Sequence, residues 1–127
     1  MRKHPNLLFI YTDQQATSTL GCYGNPVIET PNVDRLADQG VVFDNCYVTQ
    51  PLCTPSRGSL LCGLYPHSAG LLTNNVPLSL NIPCLPEIGD FRAYRTCHNG
   101  KWHLGDEIFP QHGFQEWVGT EDLYRRH

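Results

Sequence analysis

A nucleophile, a fixed cation and a helix start lie together in residues 53–63, which are CTPSRGSLLCG. Thr54 suits an N-cap and the proline after it suits the first helical position, so a helix is predicted over 55–62, ending at the glycine that follows. Cys53 would then face the helix N-terminus, where unpaired N–H groups and the helix dipole favour an anion. Arg57, in the first turn, could reach the same anion. The alternative is a surface helix with a buried cysteine and a solvated arginine.

A lysine and a histidine lie close together in residues 98–105, which are HNGKWHLG. Lys101 and His103 are two residues apart, so in an extended chain they point to one side while Trp102 points to the other and anchors the segment. Such a pair could hold the oxygens of an anion. The alternative, a solvated lysine beside a packed histidine, is common in proteins.

An acid follows the first apolar run. Residues 6–12, NLLFIYT, are typical of a strand buried on both faces of a parallel sheet, and Asp13 and Gln14 come directly after them. In open α/β sheets, ligands bind outside the carboxyl ends of the strands, so Asp13 is a candidate metal or substrate ligand; a turn aspartate is the alternative. A second strand is predicted over 41–48. The loop after it would bring Cys53 to the same edge of the sheet.

The remaining elements are expected to be scaffold. Thr30 as N-cap, an apolar stripe and a terminal glycine predict a helix over 31–39. Residues 71–83 contain two prolines and two adjacent asparagines, which favour a loop. A short helix is expected over 85–90 and an extended segment over 91–97. Strands alternating with helices predict an α/β fold.

Composition excludes several classes of protein. The chain has 127 residues, 40% apolar and 17% charged, with a formal net charge of -3, which is typical of one globular domain and gives no basic surface for nucleic acid or a membrane. The first apolar run is too short for a signal peptide or a membrane span, so a cytoplasmic location is expected. The six cysteines form no CxxC pair, and their spacing argues against a disulfide framework, a redox module or a zinc site.

Two segments resemble the signatures of one enzyme family. CTPSRGSLLCG is similar to the sulfatase signature CxPSRxxLxTG, with Cys62 in place of the usual threonine. AYRTCHNGKWHLG is similar to the second sulfatase signature, GYxTxxxGKWHLG, with Ala93 in place of glycine. The resemblance is to the type I sulfatases of the alkaline phosphatase-like superfamily. It implies an α/β fold with a mostly parallel sheet flanked by helices, of which this chain would be an incomplete part.

The resemblance also implies roles for the residues of the two signatures. Cys53 would be oxidised to formylglycine by a maturation enzyme, and the hydrated aldehyde would attack the sulfur of a small-molecule or glycan sulfate ester. Arg57 and Lys101 would bind the sulfate oxygens. His103 would hydrogen-bond the formylglycine hydroxyl or the ester oxygen.

A metal ion is the other implied component. Asp13, Gln14 and the modified Cys53 would bind calcium, or else magnesium or manganese. Gln14 stands where such families often have a second acid, so it removes one negative charge while still offering a carbonyl oxygen.

Residues 1–127 are interpreted as the N-terminal part of a single sulfatase catalytic domain. The later metal ligands of the family would lie outside them, so little activity is expected of these residues alone. Two alternatives remain open: a phosphonate or phosphate ester hydrolase on the same scaffold, and a non-catalytic remnant that binds an anion or a partner.

Overall fold

The computed structural model of the chain describes residues 5–120. The chain divides into two compact units, Met1–Cys46 and Tyr47–His127. Within the described part, every helix is too short or too polar to cross a bilayer.

The first unit contains helix α1, Pro31–Gln39, which confirms the helix predicted there. The hydroxyl of Thr30, the N-cap residue, donates to Asp34 Oδ1 at 2.9 Å and accepts the N–H of Gly21 at 2.8 Å. Asp34 Oδ1 also accepts the N–H of Cys22 at 2.7 Å. A side chain at position 21 would overlap the Asp34 carboxylate, so glycine is required for this contact. The start of α1 thereby holds the 3₁₀ turn Gly21–Tyr23, which follows another 3₁₀ turn, Thr17–Thr19.

The two apolar runs predicted as strands, 6–12 and 41–48, do not form strands in the described structure. Their side chains are exposed instead; Leu8 is 82% exposed and Val41 79%. A strand needs a neighbouring backbone to accept its hydrogen bonds, and burial on two faces needs other elements above and below the sheet. The described residues supply neither, so the strand predictions are wrong for this structure.

Helix α2, Cys53–Cys62, carries the first signature in the second unit. It ends as predicted, at Gly63, whose φ of 71° is readily adopted by glycine. It begins two residues earlier than predicted, after Leu52 as N-cap residue. Thr54 is therefore not the N-cap, because its hydroxyl donates to the backbone oxygen of His103 at 2.8 Å.

The elements after α2 are short. Residues 71–83 contain no helix or strand, as predicted. The helix expected over 85–90 is replaced by two 3₁₀ turns, and the second of them occupies the start of the segment expected to be extended over 91–97. The bounds are helix α3 Pro66–Ala69, the 3₁₀ turns Leu85–Glu87 and Gly89–Ala93, strand β1 Cys97–Gly100 and strand β2 Glu116–Gly119.

Strands β1 and β2 pair in parallel, with Cys97 opposite Glu116 and Gly100 opposite Gly119. Parallel pairing agrees with the type of sheet predicted from the sequence. Strand β1 ends at Gly100, directly before Lys101, so its pairing with β2 helps to position the Lys101–His103 segment.

The core of the second unit lies between α2 and the segment after β1. Leu71, Leu104 and Trp102 are almost completely buried there. A Cβ at Gly58, in the middle of α2, would overlap the side chain of Leu71 and would come close to Leu104. The absence of a side chain at position 58 therefore lets the core pack directly against the helix backbone.

An aromatic cluster surrounds His98 of β1. The His98 ring lies 5.3 Å from Trp102, 5.7 Å from Phe114 and 4.5 Å from Trp117, measured between ring centroids. Its Nε2 is 3.1 Å from the backbone oxygen of Gly100. Burial, together with the positive charge of Arg57, lowers the pKa of His98 below its ordinary 6.5, against the opposing effect of the Gly100 hydrogen bond.

This lowered pKa predicts a loss of stability in mild acid. Because the unfolded chain binds the proton more readily than the folded one, the contribution of His98 is fully present above pH 6.5 and is lost as the pH falls below it. His98→Gln, which cannot titrate, should give a free energy of unfolding that depends less on pH in this window. Urea unfolding of both proteins at a series of pH values is the measurement, and equal slopes would contradict the prediction.

Candidate active site

The start of helix α2 is buried although it is polar. Cys53, its first residue, is half-buried, while Thr54 and Ser56 are buried. The backbone N–H of Thr54 donates to Asn74 Oδ1 at 3.0 Å. A side chain of the 71–83 loop thus satisfies one of the N–H groups that a helix start leaves without an intrahelical partner.

Arg57 joins the two signatures. It lies one turn after Cys53 in α2, is only 8% exposed, and donates from Nη1 to the backbone oxygen of Lys101 at 3.0 Å. A hydrogen bond from a charged group is stronger than a neutral one, particularly where water is scarce. Arg57 therefore fixes the start of the Lys101–His103 segment against the helix.

Thr54 makes the second link between the signatures. Its hydroxyl donates to His103 O at 2.8 Å and accepts the N–H of Asn75 at 3.3 Å. Asn75 Oδ1 is in turn 2.9 Å from His103 Nε2. Since a carbonyl oxygen can only accept, this contact assigns the hydrogen to Nε2. The ring of His103 is thereby oriented as a proton donor at that atom.

Glu107 holds the backbone of the second signature. It is buried, and its two carboxylate oxygens accept the N–H of Trp102 at 3.1 Å and of His103 at 2.5 Å. Its backbone oxygen accepts the indole N–H of Trp117 at 2.7 Å, and a Cβ at Gly119 would overlap that oxygen. No sequence pattern indicates this role, because a single acid after a signature is usually solvated.

The conformation of the second signature differs from the predicted one. His103 has a φ of 59°, in the left-handed region, and is only 5% exposed. The prediction of an extended chain with Lys101 and His103 on one face is therefore wrong. The prediction that Trp102 is buried is confirmed. The reason is that Glu107 binds two successive N–H groups, which a straight strand would direct to opposite sides.

The structure joins the two segments that carry the predicted catalytic residues Cys53, Arg57, Lys101 and His103. Arg57 donates to Lys101 O, and Thr54, which follows Cys53, donates to His103 O. Of the three predicted metal ligands, Cys53 begins helix α2. Asp13 and Gln14 lie in the first compact unit, where both are exposed and Gln14 has a φ of 56°.

Chemically, the four residues of the second unit are of the types that the predicted anion site requires: one nucleophile, two cations and one imidazole. The expectation that free N–H groups at the helix start would bind it needs correction for Thr54, whose N–H is already bonded to Asn74. The prediction of an anion site therefore rests on the side chains of Arg57, Lys101 and His103 more than on the N–H group of Thr54.

The Thr54 hydroxyl offers a direct test of how the two signatures are joined. Thr54→Val keeps the shape but leaves the buried His103 oxygen without its donor, which should cost about 1–3 kcal/mol of unfolding free energy. Thr54→Ser keeps the hydroxyl and loses one methyl group, at about 0.8 kcal/mol. Urea unfolding of the full-length protein measures both. Equal destabilisation by valine and serine would show that packing, rather than the hydrogen bond, makes the link.

Comparison with known proteins identifies the family. The sulfatase family model matches residues 5–127. An uncharacterized sulfatase, YidJ, of Escherichia coli K12 is 43% identical over 108 residues, covering 84% of this chain and 22% of that protein. An N-acetylglucosamine-6-O-sulfatase of Bacteroides thetaiotaomicron is 40% identical over 115 residues, covering 91% of this chain and 20% of that protein.

A solved structure agrees with these matches. The structure of BT4656 in complex with its substrate D-glucosamine-2-N,6-O-disulfate superimposes with a TM-score of 0.82 at 38% identity, covering 91% of this chain and 23% of that one. The predicted fold class is thereby confirmed as an incomplete part of the alkaline phosphatase-like α/β fold. The chain spans about a fifth to a quarter of the length of the curated relatives it matches. This chain belongs to the sulfatase family.

Proposed function

We propose that the full-length protein hydrolyses sulfate esters, using a formylglycine made from Cys53 and a divalent cation. The observation that carries the proposal is the docking of the second signature on helix α2. Arg57 binds the Lys101 backbone and Thr54 binds the His103 backbone, so the cysteine and the three candidate anion-binding side chains belong to one buried, hydrogen-bonded unit.

Each side chain has a distinct task in this proposal. Arg57 and Lys101 supply fixed positive charge to the sulfate oxygens, where charge increases during sulfuryl transfer. Arg57 needs little reorganisation, since its guanidinium is already held by a backbone oxygen. His103 presents the Nε2 hydrogen, now bonded to Asn75, to the oxygen of the departing alcohol.

Two further components complete the proposed chemistry. Formylglycine would supply a hydrated aldehyde, which has one hydroxyl to attack sulfur and a second to release the sulfate afterwards. The donor types at Asp13 and Gln14 fit a hard cation, because both offer oxygen and neither offers sulfur or nitrogen in its place. These two residues and the modified Cys53 would hold calcium, which would increase the acidity of the attacking hydroxyl.

We infer a sulfated sugar as the substrate. The relatives' names support this inference, since they include sulfatases of N-acetylglucosamine and N-acetylgalactosamine, and the solved neighbour contains a disulfated glucosamine. In this proposal, the side chains of Arg57, Lys101 and His103 would supply the affinity for the sulfate group. The choice of sugar depends on contacts with the alcohol part. A formylglycine-generating or anaerobic sulfatase-maturing enzyme is the partner that this function requires.

The modification can be detected directly. When the protein is made together with a maturation enzyme, Cys53 should become formylglycine while the other five cysteines stay unmodified, because only Cys53 lies in a CxPSR sequence. Peptide mass spectrometry is the measurement, with a known sulfatase modified in parallel as the control. An intact Cys53 beside a modified control would contradict the proposal.

Lys101 and His103 should differ in their dependence on the leaving group. Lys101→Ala should lower turnover by roughly 10² or more for every sulfate ester, because a fixed charge on the sulfuryl oxygens is lost. His103→Ala should impair alkyl sulfates more than aryl sulfates, since a good leaving group needs little proton donation.

The measurement is turnover over a series of leaving groups in the full-length protein. Arg35→Ala is the matched control, because this exposed cation lies on α1 outside both signatures. A Lys101→Ala protein with normal turnover on any one ester would place Lys101 at the alcohol end of the substrate instead.

A further inference from the structure

Three metal-binding side chains lie together outside both signatures. Cys84, Glu87 and His112 each offer one ligand atom, and these atoms all lie within 4.8 Å of one another. None of the three has a task in the proposed hydrolysis. We propose that this 84/87/112 cluster is a structural site for Zn²⁺, with a water molecule as the fourth ligand.

The main argument comes from the buried imidazole of His112. Its side chain is fully buried, and neither ring nitrogen has a hydrogen-bond partner among the described residues. The nearest carboxylate oxygen, Glu87 Oε2, is 3.8 Å from Nδ1, which is too long for a hydrogen bond. Buried polar atoms are nearly always paired, and a group shielded from solvent cannot use bulk water. An ion within the cluster would supply the missing partner.

The other two ligands are already aimed at the same point. Cys84 is completely buried, and its backbone N–H donates to Glu87 Oε2 at 2.9 Å, which turns the carboxylate inward across one 3₁₀ turn. About a third of the Glu87 side chain is exposed, so an ion has a path from solvent. The backbone next to His112 packs tightly against Glu87, because a Cβ at Gly113 would overlap the Glu87 side chain.

The ligand types favour zinc over the hard cation proposed for Asp13. A thiolate, an imidazole and a carboxylate are the three usual zinc ligands, with bonds of about 2.0–2.3 Å. In tetrahedral geometry such bonds place neighbouring ligand atoms roughly 3.3–3.7 Å apart. The observed separations, all within 4.8 Å, need to shrink by about 1.5 Å at most. Binding would replace the thiol hydrogen of Cys84 by zinc and release it to solvent as a proton.

The position of the cluster suggests what the ion would stabilise. The ring of His112 packs against Trp102 with 5.8 Å between centroids, and Trp102 lies between Lys101 and His103. A bound ion would therefore restrain His112 and, through their ring contact, the buried side chain of Trp102 in the second signature. This inference is independent of sulfate hydrolysis, because it predicts metal binding in protein with either cysteine or formylglycine at position 53.

Cobalt titration of the reduced, metal-free, full-length protein tests the site, because a thiolate bound to Co²⁺ gives a sulfur-to-cobalt charge-transfer band in the near ultraviolet. We expect one equivalent of Co²⁺ to produce the band and one equivalent of Zn²⁺ to remove it. Cys84→Ser should abolish the band. Glu87→Gln should weaken cobalt binding by about 100-fold or more, since loss of an outer partner alone costs roughly 10–100-fold. The matched controls Cys62→Ser and Cys53→Ser should keep it.

Three results would overturn the proposal. The first is a parent protein that gives no sulfur-to-cobalt band at stoichiometric metal. The second is an unchanged band in Cys84→Ser, which would assign the thiolate to another cysteine. Glu87→Gln keeps an oxygen that can accept the Cys84 N–H, so it should fold, and circular dichroism verifies this. A folded Glu87→Gln protein with parental cobalt affinity would also contradict the site.

Discussion

The candidate active site depends on the attachment of one segment to one helix. The hydroxyl of Thr54 and the guanidinium of Arg57 both donate to backbone oxygens of the second signature, at His103 and Lys101. Because the acceptors are backbone atoms, these bonds position the backbone of the second signature rather than any one of its side chains. The attachment is buried, so leaving either donor without its acceptor would be costly. The position of the second signature on helix α2 follows from these two bonds.

The conformation of the second signature reflects a balance between strain and hydrogen bonding. His103 adopts a left-handed backbone, which costs roughly 1–2 kcal/mol for a residue with a side chain. Glu107 accepts two N–H groups there, and hydrogen bonds to a charged group contribute about 1.5–3 kcal/mol each. The bonds therefore outweigh the strain. Trp102 and Trp117 close the surrounding space, which keeps water away from these bonds.

Local sequence patterns succeeded where an element is stabilised by its own residues. Helix α1 follows its proline start and terminal glycine, and helix α2 ends at Gly63 as expected. They failed for the apolar runs 6–12 and 41–48, since a strand is completed by neighbours that the described residues do not provide. The start of α2 was also misplaced, because the Thr54 hydroxyl has a better partner in His103 than in its own helix.

The sequence by itself determined the family, the position of the cysteine before its arginine, and the lysine and histidine of the second signature. These are short-range patterns, and spacing along the chain is enough to recognise them. Only the tertiary structure decided which distant groups meet. Thr54 and His103 are 49 positions apart, Arg57 and Lys101 are 44 apart, and Cys84 lies far in sequence from His112. Contacts at such separations depend on how the whole chain packs, and the periodic pattern of apolar residues within a short window does not contain that information.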